Sequence, residues 1–510
     1  MNLGIALHAV GDLDAAMQAH RRAIELDQSY AAAHYNLGRA QLETGQAAQA
    51  ELSYRAALRH RPTFPEACVG LADALQTLGK NSETLAALEM AITQREDYHE
   101  AHSNLIFTLD FLEGYGAREH QLERDRWYER HARVHGQSIQ PHGNDRDARR
   151  RLRIGYVSAD FRTHSACAVF APILLGHDRR AFEVVCYSGV KREDEMTARL
   201  RAAASQWHST LGVSDEALAA QIRQARIDIL VDLSGHTEGN RLLVFARKPA
   251  PVQITAWGHA TGTGVKTIDY FLADPVLVPH EERGLYAEQV IDLPCGLCYA
   301  PPQHLPEVSG LPALEGRPFT FGCINRVEKI SQRTIVAWGR ILGQVPGSQL
   351  LLKHVGLGDP GVRQHMLERL GAVGIEPRRV RMIGFTPHAE HLKVYQAVDL
   401  GLDPFPQNGG VSTAEALWMG VPVVALKGGT PSGRIAASIL SALAMQHWSA
   451  ASEEEYVSIA VRAAGELVAL ARTRAQLRTT MSASVFGDPV RYTRAVELAL
   501  RSMWQTWCSR

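Results

Sequence analysis

Two patterns of apolar and polar positions divide the chain. Over the first third, small and apolar residues return at a step of 34. Asn2-Leu3-Gly4, Asn36-Leu37-Gly38, Gly70-Leu71-Ala72 and Asn104-Leu105-Ile106 share one register. Gly11, Gly45 and Gly79 keep the step, as do Ala23, Ala57 and Ala91, then Ala33, Ala67 and Ala101, and the aromatics Tyr30, Phe64 and Tyr98. A repeat of this length holds two helices, with the glycine at the tight turn and the alanines where helices cross closely. Further on, short β-branched runs at Arg153–Ser158, Phe182–Tyr187 and Ile227–Asp232 alternate with helical stretches such as Glu195–Ala204 and Glu216–Gln224. Apolar strands alternating with helices predict a parallel sheet buried on both faces. The alternation pauses in a Pro-rich passage, Pro294–Pro318, which reads as a linker. It restarts with strands at Phe319–Ile324, Gln349–His354, Val380–Phe385, Asp399–Asp403 and Val421–Leu426, and a long last helix is expected from Pro489 to Trp507.

The 34-residue period is the tetratricopeptide pattern, whose repeats stack into a superhelix with a concave binding face. The fourth copy decays after Leu109, as a capping repeat does, and the chain opens inside a helix, so part of the first repeat is expected to be missing. First helices line the concave face. Asn2, Asn36 and Asn104 share one column, interrupted at Gly70, and are expected to form an amide ladder. Each amide donates to one backbone carbonyl and accepts from one backbone N–H, so a ladder grips an extended peptide whatever its side chains. Asparagine also suits a polar inner helix face with no ligand. The expected organisation is repeats over 1–134, a linker over 135–150, and α/β lobes over 151–310 and 311–510. The fold class is therefore α + α/β, an N-terminal α-superhelix followed by two doubly wound lobes, which bind ligands beyond the carboxyl ends of their strands.

Composition narrows the partners. Among 510 residues, Lys+Arg and Asp+Glu both number 54, so nothing favours nucleic acid or an anionic membrane surface. Arg149-Arg150-Arg151 reads as a solvated linker. No apolar stretch approaches the ~20 residues a membrane helix needs, and no basic start with an apolar core marks a secretory signal. Seven scattered cysteines fit a reducing compartment, and the expected location is cytoplasmic. Cys295-Gly-Leu-Cys298 lacks a second pair or nearby His ligands and reads as structural.

Several constellations carry candidate chemistry. Leu402 to Trp418 runs strand, glycine turn, helix start, and contains Asn408, Gly409, Gly410, Ser412, Thr413 and Glu415. Glycines admit close backbone approach, orphan N–H groups of the next turn suit phosphate, hydroxyls add donors, and an acidic residue takes ribose hydroxyls. Ser412 with Glu415 three residues on also makes a capping box, which needs no ligand. Arg326 and Lys329 follow the first strand of the second lobe, where a cation would neutralise a diphosphate leaving group. No Asp-x-Asp pair stands at a strand end to hold a metal, so no metal cofactor is expected, which raises the weight on Lys329. His164 lies just past the first strand of the first lobe, where a general base would face a cleft. Asp232 and His236 end another strand on the same edge, and His391 begins a second-lobe helix.

Taken in order, these pieces resemble the O-GlcNAc transferase family. Repeats precede Leu152-Arg-Ile-Gly-Tyr-Val-Ser-Ala-Asp-Phe161, then Trp257-Gly-His-Ala-Thr-Gly-Thr-Gly264, which contains His259. Cys323-Ile-Asn-Arg-Val-Glu-Lys-Ile330, Asn408 to Trp418 and Ser432-Gly-Arg-Ile-Ala-Ala-Ser438 complete the series. The resemblance implies a glycosyltransferase-B arrangement, inverting and metal-independent, that moves GlcNAc from UDP-GlcNAc to Ser/Thr of proteins bound along the repeat groove. By position, Lys329 matches the family's diphosphate-binding lysine, His164 a histidine near the acceptor, and His391 a residue near the uridine. Ser412 falls where the family has a phosphate-binding threonine, Glu415 where it has a ribose-binding aspartate, and the Asn column where it has a peptide-gripping ladder. Arg326 stands where animal members have Gln, and Gly410-Val411 where they have His-Thr. The long insert of animal members is absent, so the chain is similar to a compact bacterial form. Two alternatives stay open: a related transferase such as an O-fucosyltransferase using GDP-fucose, and a non-catalytic repeat scaffold.

Overall fold

The computed structural model describes residues 1–302 and 306–510. They divide into two compact units: one of Met1–Glu113, Gly310–Pro406 and Glu453–Leu470, the other of Gly114–Ser309, Gln407–Ser452 and Ala471–Arg510.

The first unit opens with seven helices: α1 (Asn2–Ala9), α2 (Leu13–Leu26), α3 (Ala31–Glu43), α4 (Ala47–His60), α5 (Pro65–Thr77), α6 (Asn81–Gln94) and α7 (His99–Leu109). Gly11, Gly45 and Gly79 turn each pair with φ of 84°, 77° and 74°, a left-handed backbone that only glycine adopts cheaply. Ala33, Ala67 and Ala101 are fully buried, as the close-crossing column requires. The Tyr54 ring fills the space over Gly38 and Gly70, and His20, one repeat earlier, lies against Gly4 in the same way.

In the second unit, β1 (Leu152–Ser158), β2 (Phe182–Ser188), β3 (Gln206–Ser209), β4 (Ile229–Asp232), β5 (Val252–Thr255), β6 (Tyr270–Ala273) and β7 (Gln289–Asp292) form a parallel sheet in the order β3-β2-β1-β4-β5-β6-β7. Ile154 pairs with Val184 on one side and Ile229 on the other, so β1 is central, and its burial on both faces explains the unbroken apolar run. The last helix, Pro489–Cys508, buries Tyr492, Val496, Leu500 and Trp504. The expected solvated basic linker is a correction. Arg150 docks on buried Asp228 through two hydrogen bonds of 2.6 and 2.7 Å and lies over the Trp504 ring. A guanidinium fork matches a carboxylate's two oxygens, which turns a basic run into an anchor. The Pro-rich passage is likewise packed where it begins, with Cys295, Cys298 and Tyr299 buried; Gln303, His304 and Leu305 lie outside the described residues.

The first unit contributes a second parallel arrangement, β8 (Thr320–Cys323), β9 (Gln349–Lys353), β10 (Val380–Ile383) and β11 (Leu400–Leu402), in the order β10-β9-β8-β11. In the second unit β12 (Val423–Leu426) pairs in parallel with β13 (Ser449–Ala450). Among the described residues no helix is long and apolar enough to cross a membrane.

Gly70 provides a test of the repeat packing. A Cβ there would sit well inside contact distance of the Tyr54 ring. Gly70→Ala is therefore expected to destabilise by about 1–3 kcal/mol, as overpacking does. Gly343→Ala, in a helix with open space around it, is expected to gain up to ~1 kcal/mol from helix propensity. Denaturant unfolding of both variants checks the opposite signs.

Candidate active site

The first unit builds a cationic edge. In a parallel sheet the carboxyl ends of β8, β9 and β11 lie on one side, which brings the segments carrying Lys329, His354 and Asp403 to the same edge. After β8 the chain makes a short 3-10 turn, Val327–Lys329, and then Ser331 caps the helix Gln332–Gln344 by accepting from the Thr334 N–H at 3.1 Å. Val327 and Ile330 are buried on either side, so the turn is pinned at both ends while Lys329 stays half-buried. Burial pushes the Lys329 ammonium down to about 8; the Arg326 guanidinium pushes the same way, and Asp403 and Glu328 oppose them. Arg326 donates from Nε to the Glu328 carboxylate at 2.6 Å, and its guanidinium lies 5.6 and 5.7 Å from the Phe107 and Phe111 ring centres. Burial alone would raise the Glu328 carboxyl, but Arg326 and His354 hold it below its usual range. Thr334 bonds both the N–H and the C=O of Phe405, and Tyr456 donates to the Asp403 carbonyl at 3.0 Å, which fixes the end of β11. His391 lies in the helix His388–Val394, stacked on His388 and edge-on to Tyr395.

Of the repeat column, Asn2 is exposed while Asn36 and Asn104 are half-buried. Asn36 donates to the Ala32 carbonyl of its own helix at 2.8 Å and to the Met1 sulfur at 3.8 Å, so both of its amide hydrogens have partners here.

In the second unit His164 caps the helix Ser165–Gly176. Its Nδ1 accepts from the Ala166 N–H at 3.3 Å and stands 3.5 Å from the Asp160 carboxylate, with the side chain 38% exposed. The side chains of Asp232, His236 and His259 are all buried. Asp232 is buried and accepts from the N–H groups of Ser234 and Gly235 and the Thr255 hydroxyl, and burial raises its carboxyl. His236 is fully buried, bonded to the Thr263 carbonyl at 2.9 Å and edge-on to Trp127. His259 is buried beside the Thr261 hydroxyl. A Cβ on the preceding Gly258 would overlap the Leu233 carbonyl, so this loop closes onto the end of β4 only with glycine there.

The Asn408–Trp418 stretch folds as a buried turn and a helix, Val411–Trp418. The Asn408 N–H donates to the Ser432 carbonyl at 3.0 Å and its side-chain amide to the Leu426 carbonyl at 3.3 Å, which ties the turn to the end of β12. Gly409 is buried and Gly410 is the N-cap, so Ser412 lies inside the first turn and the expected Ser412–Glu415 capping box does not form. Thr413 donates to the Gly409 carbonyl at 3.0 Å, and Glu415 is buried. Arg434, buried, donates to the Gly428 carbonyl at 2.9 Å and pairs bidentately with Glu282. Cys295 and Cys298 are buried with thiols pushed up to about 12, unsuited to thiolate chemistry. Sequence reading missed His354 and Glu328 as neighbours of Lys329; the strand-end position was the only signal. Among the described residues no group of three His, Cys, Asp or Glu side chains is arranged to hold a metal.

The chain was compared with known proteins. Residues 4–45 and 31–64 match tetratricopeptide repeat models. It is 34% identical over 419 residues to a Petunia hybrida protein named probable UDP-N-acetylglucosamine--peptide N-acetylglucosaminyltransferase SPINDLY, covering 81% of this chain and 45% of that one. A Caenorhabditis elegans UDP-N-acetylglucosamine--peptide N-acetylglucosaminyltransferase is 25% identical, covering 70% of this chain and 41% of its own. The chain thus spans less than half the length of these curated relatives. A solved mutant of the Thermobaculum terrenum O-GlcNAc transferase is 33% identical with a TM-score of 0.93, covering 99% of this chain and 96% of that one. Residues 99–298 and 313–496 match the model of glycosyl transferase family 41, and with both α/β sheets and the repeats in place, the chain belongs to that family of glycosyltransferases.

Proposed function

We propose that the protein transfers GlcNAc from UDP-GlcNAc to Ser/Thr hydroxyls of protein acceptors, with inversion and without a metal. The carrying observation is the Lys329 turn: a half-buried ammonium at the carboxyl edge of a parallel sheet. The acceptor hydroxyl attacks the anomeric carbon as the bond to the UDP oxygen breaks, and charge develops on the β-phosphate. Lys329 meets that charge in a poorly solvated place, where an ammonium counts for more than in water. The turn at Asn408, Gly409 and Gly410 with Ser412, Thr413 and Glu415 is assigned to the phosphates and ribose, and His391 to the base. Arg326, committed to Glu328, keeps that carboxylate from neutralising Lys329. His164 takes the acceptor side, as base or positioning group. The repeats over 1–134, with Asn2, Asn36 and Asn104, present the acceptor, and the lobes over 151–310 and 311–510 carry the chemistry. Free cysteines at every described cysteine position suit a reducing, cytoplasmic setting.

Lys329→Ala is expected to keep the fold and lower donor hydrolysis ~10²–10³-fold, the cost of losing a comparable electrostatic contact. Activity should survive EDTA; loss on chelation with rescue by Mn²⁺ assigns the charge to a metal instead.

The donor is read by thermal shift. A nucleotide at 100 times its Kd adds ~2.7 kcal/mol of stability, so UDP is expected to raise the melting temperature and GDP is not. A GDP response assigns the alternative GDP-sugar donor, and silence toward both favours the scaffold.

UDP affinity is also expected to depend on pH with a definite sign. The cationic form binds diphosphate, and the free-protein Lys329 pKa is lowered to about 8. Affinity is therefore full below that pH and weakens as pH rises through it. Calorimetric titration across this range checks the trend, which should be absent in Lys329→Ala.

A further inference from the structure

The repeats do more in the first unit than offer a groove. The second helix of the third repeat, α6, begins at Asn81, whose side chain is buried. Its amide nitrogen donates 2.8 Å to the Glu328 carbonyl and lies 3.5 Å from the Phe111 carbonyl. The Glu328 carbonyl belongs to the peptide that leads directly into Lys329, so this bond sets the plane from which the lysine side chain departs. The same turn is held by repeat residues from two other sides. Phe107 and Phe111, on and just after α7, flank the Arg326 guanidinium, and Gly79 lies close to Val327, where an added Cβ would touch it at 3.4 Å. Arg369 donates to the Ile330 carbonyl at 2.7 Å and closes the turn from the lobe side.

We infer that Asn81 is a positioning residue for the Lys329 turn, so that the third and fourth repeats are part of the donor site's framework. The Asn81 carbonyl oxygen is buried with no hydrogen-bond partner. A buried amide with an unmet acceptor is a poor stabiliser, since leaving a polar group unpaired costs about what a hydrogen bond returns. What the amide does supply is direction. A hydrocarbon of the same size would fill the space and leave the Glu328 peptide free to rotate. The inference rests on Lys329 binding the diphosphate, and it gives the repeats a role that needs no protein acceptor.

A double-mutant cycle on UDP affinity tests it, with calorimetry on the full chain for the parent, Asn81→Ala, Lys329→Ala and the double variant. Asn81→Ala is expected to weaken UDP binding about three- to tenfold, the loss typical of one hydrogen bond. The double variant should bind no more weakly than Lys329→Ala alone, because Asn81 acts through the lysine. Parent-like affinity in Asn81→Ala overturns the inference, and so does an equal loss in the Lys329→Ala background, which is general loosening. Parent-like affinity in Lys329→Ala refutes the diphosphate reading itself, whatever Asn81 does. If Asn81→Ala fails to fold, Asn81→Leu, which fills the same space and lacks the donor, takes its place in the cycle with the same outcomes, and Phe107→Leu serves as a control at the neighbouring contact. The Phe107 change trims the face beneath Arg326 and unpairs no polar group.

Discussion

One ammonium kept charged while half out of water is the constraint on which the sheet edge at Lys329 depends. Burial works against Lys329, and Arg326 adds a like charge nearby. The obvious remedy, a carboxylate in direct contact, would neutralise the charge the reaction needs. The structure divides the two demands. Glu328 is paired with Arg326, and Arg326 sits between two aromatic faces, whose negative quadrupoles suit a guanidinium. Asp403 supports the ammonium from the end of β11. The lysine is thus held near the balance point, and on the proposed reading an arriving diphosphate supplies the missing counter-charge.

Carboxylates at strand ends elsewhere do different work. Asp232 closes β4 by accepting from two backbone N–H groups and a threonine hydroxyl. Asp274, just past β6, accepts from Val276, Leu277 and Gly296 and from the Ser438 hydroxyl. Both sit where a parallel sheet would present a functional group, yet both are spent on loop closure. Position at a carboxyl edge makes a residue a candidate; whether its oxygens are already satisfied decides what it does.

Much of this was legible in the sequence. The repeat register gave every helix of α1 to α7, because glycine turns and alanine crossings recur with a fixed step. Each β-branched run chosen in the sequence became a strand; β1 and β2 run one residue longer than the run, and the others are one or two residues shorter at an end. Four strands of the larger sheet, β3 and β5 to β7, were not read. β3 (Gln206–Ser209) is polar and part-exposed at the sheet edge, and β5 to β7 are joined by loops and one short 3-10 turn, without the helical stretches whose alternation marked the other strands. Site residues were harder. Lys329 was singled out through the motif around it, but Asn81 was invisible, since only folding brings residues 81 and 328 together. His236 and His259 show the converse: a histidine on a loop looks the same in sequence whether the loop opens to solvent or closes on itself, and both are buried.

His164 carries the sharpest chemical ambiguity, and its geometry states the terms. The Ala166 N–H at 3.3 Å calls for a bare Nδ1, while the Asp160 carboxylate at 3.5 Å calls for a proton on the same atom. With Nδ1 bare, the proton of the neutral ring sits on Nε2, and the outward-facing nitrogen donates and cannot take a proton. With Nδ1–H turned to Asp160, Nε2 carries no proton and is the nitrogen that can accept one. Both contacts are long for a hydrogen bond. On the proposed acceptor-side role, rotation of the ring toward Asp160 would convert a helix cap into a base. The choice between positioning and proton transfer therefore rests on Asp160, two residues past the end of β1, as much as on the imidazole.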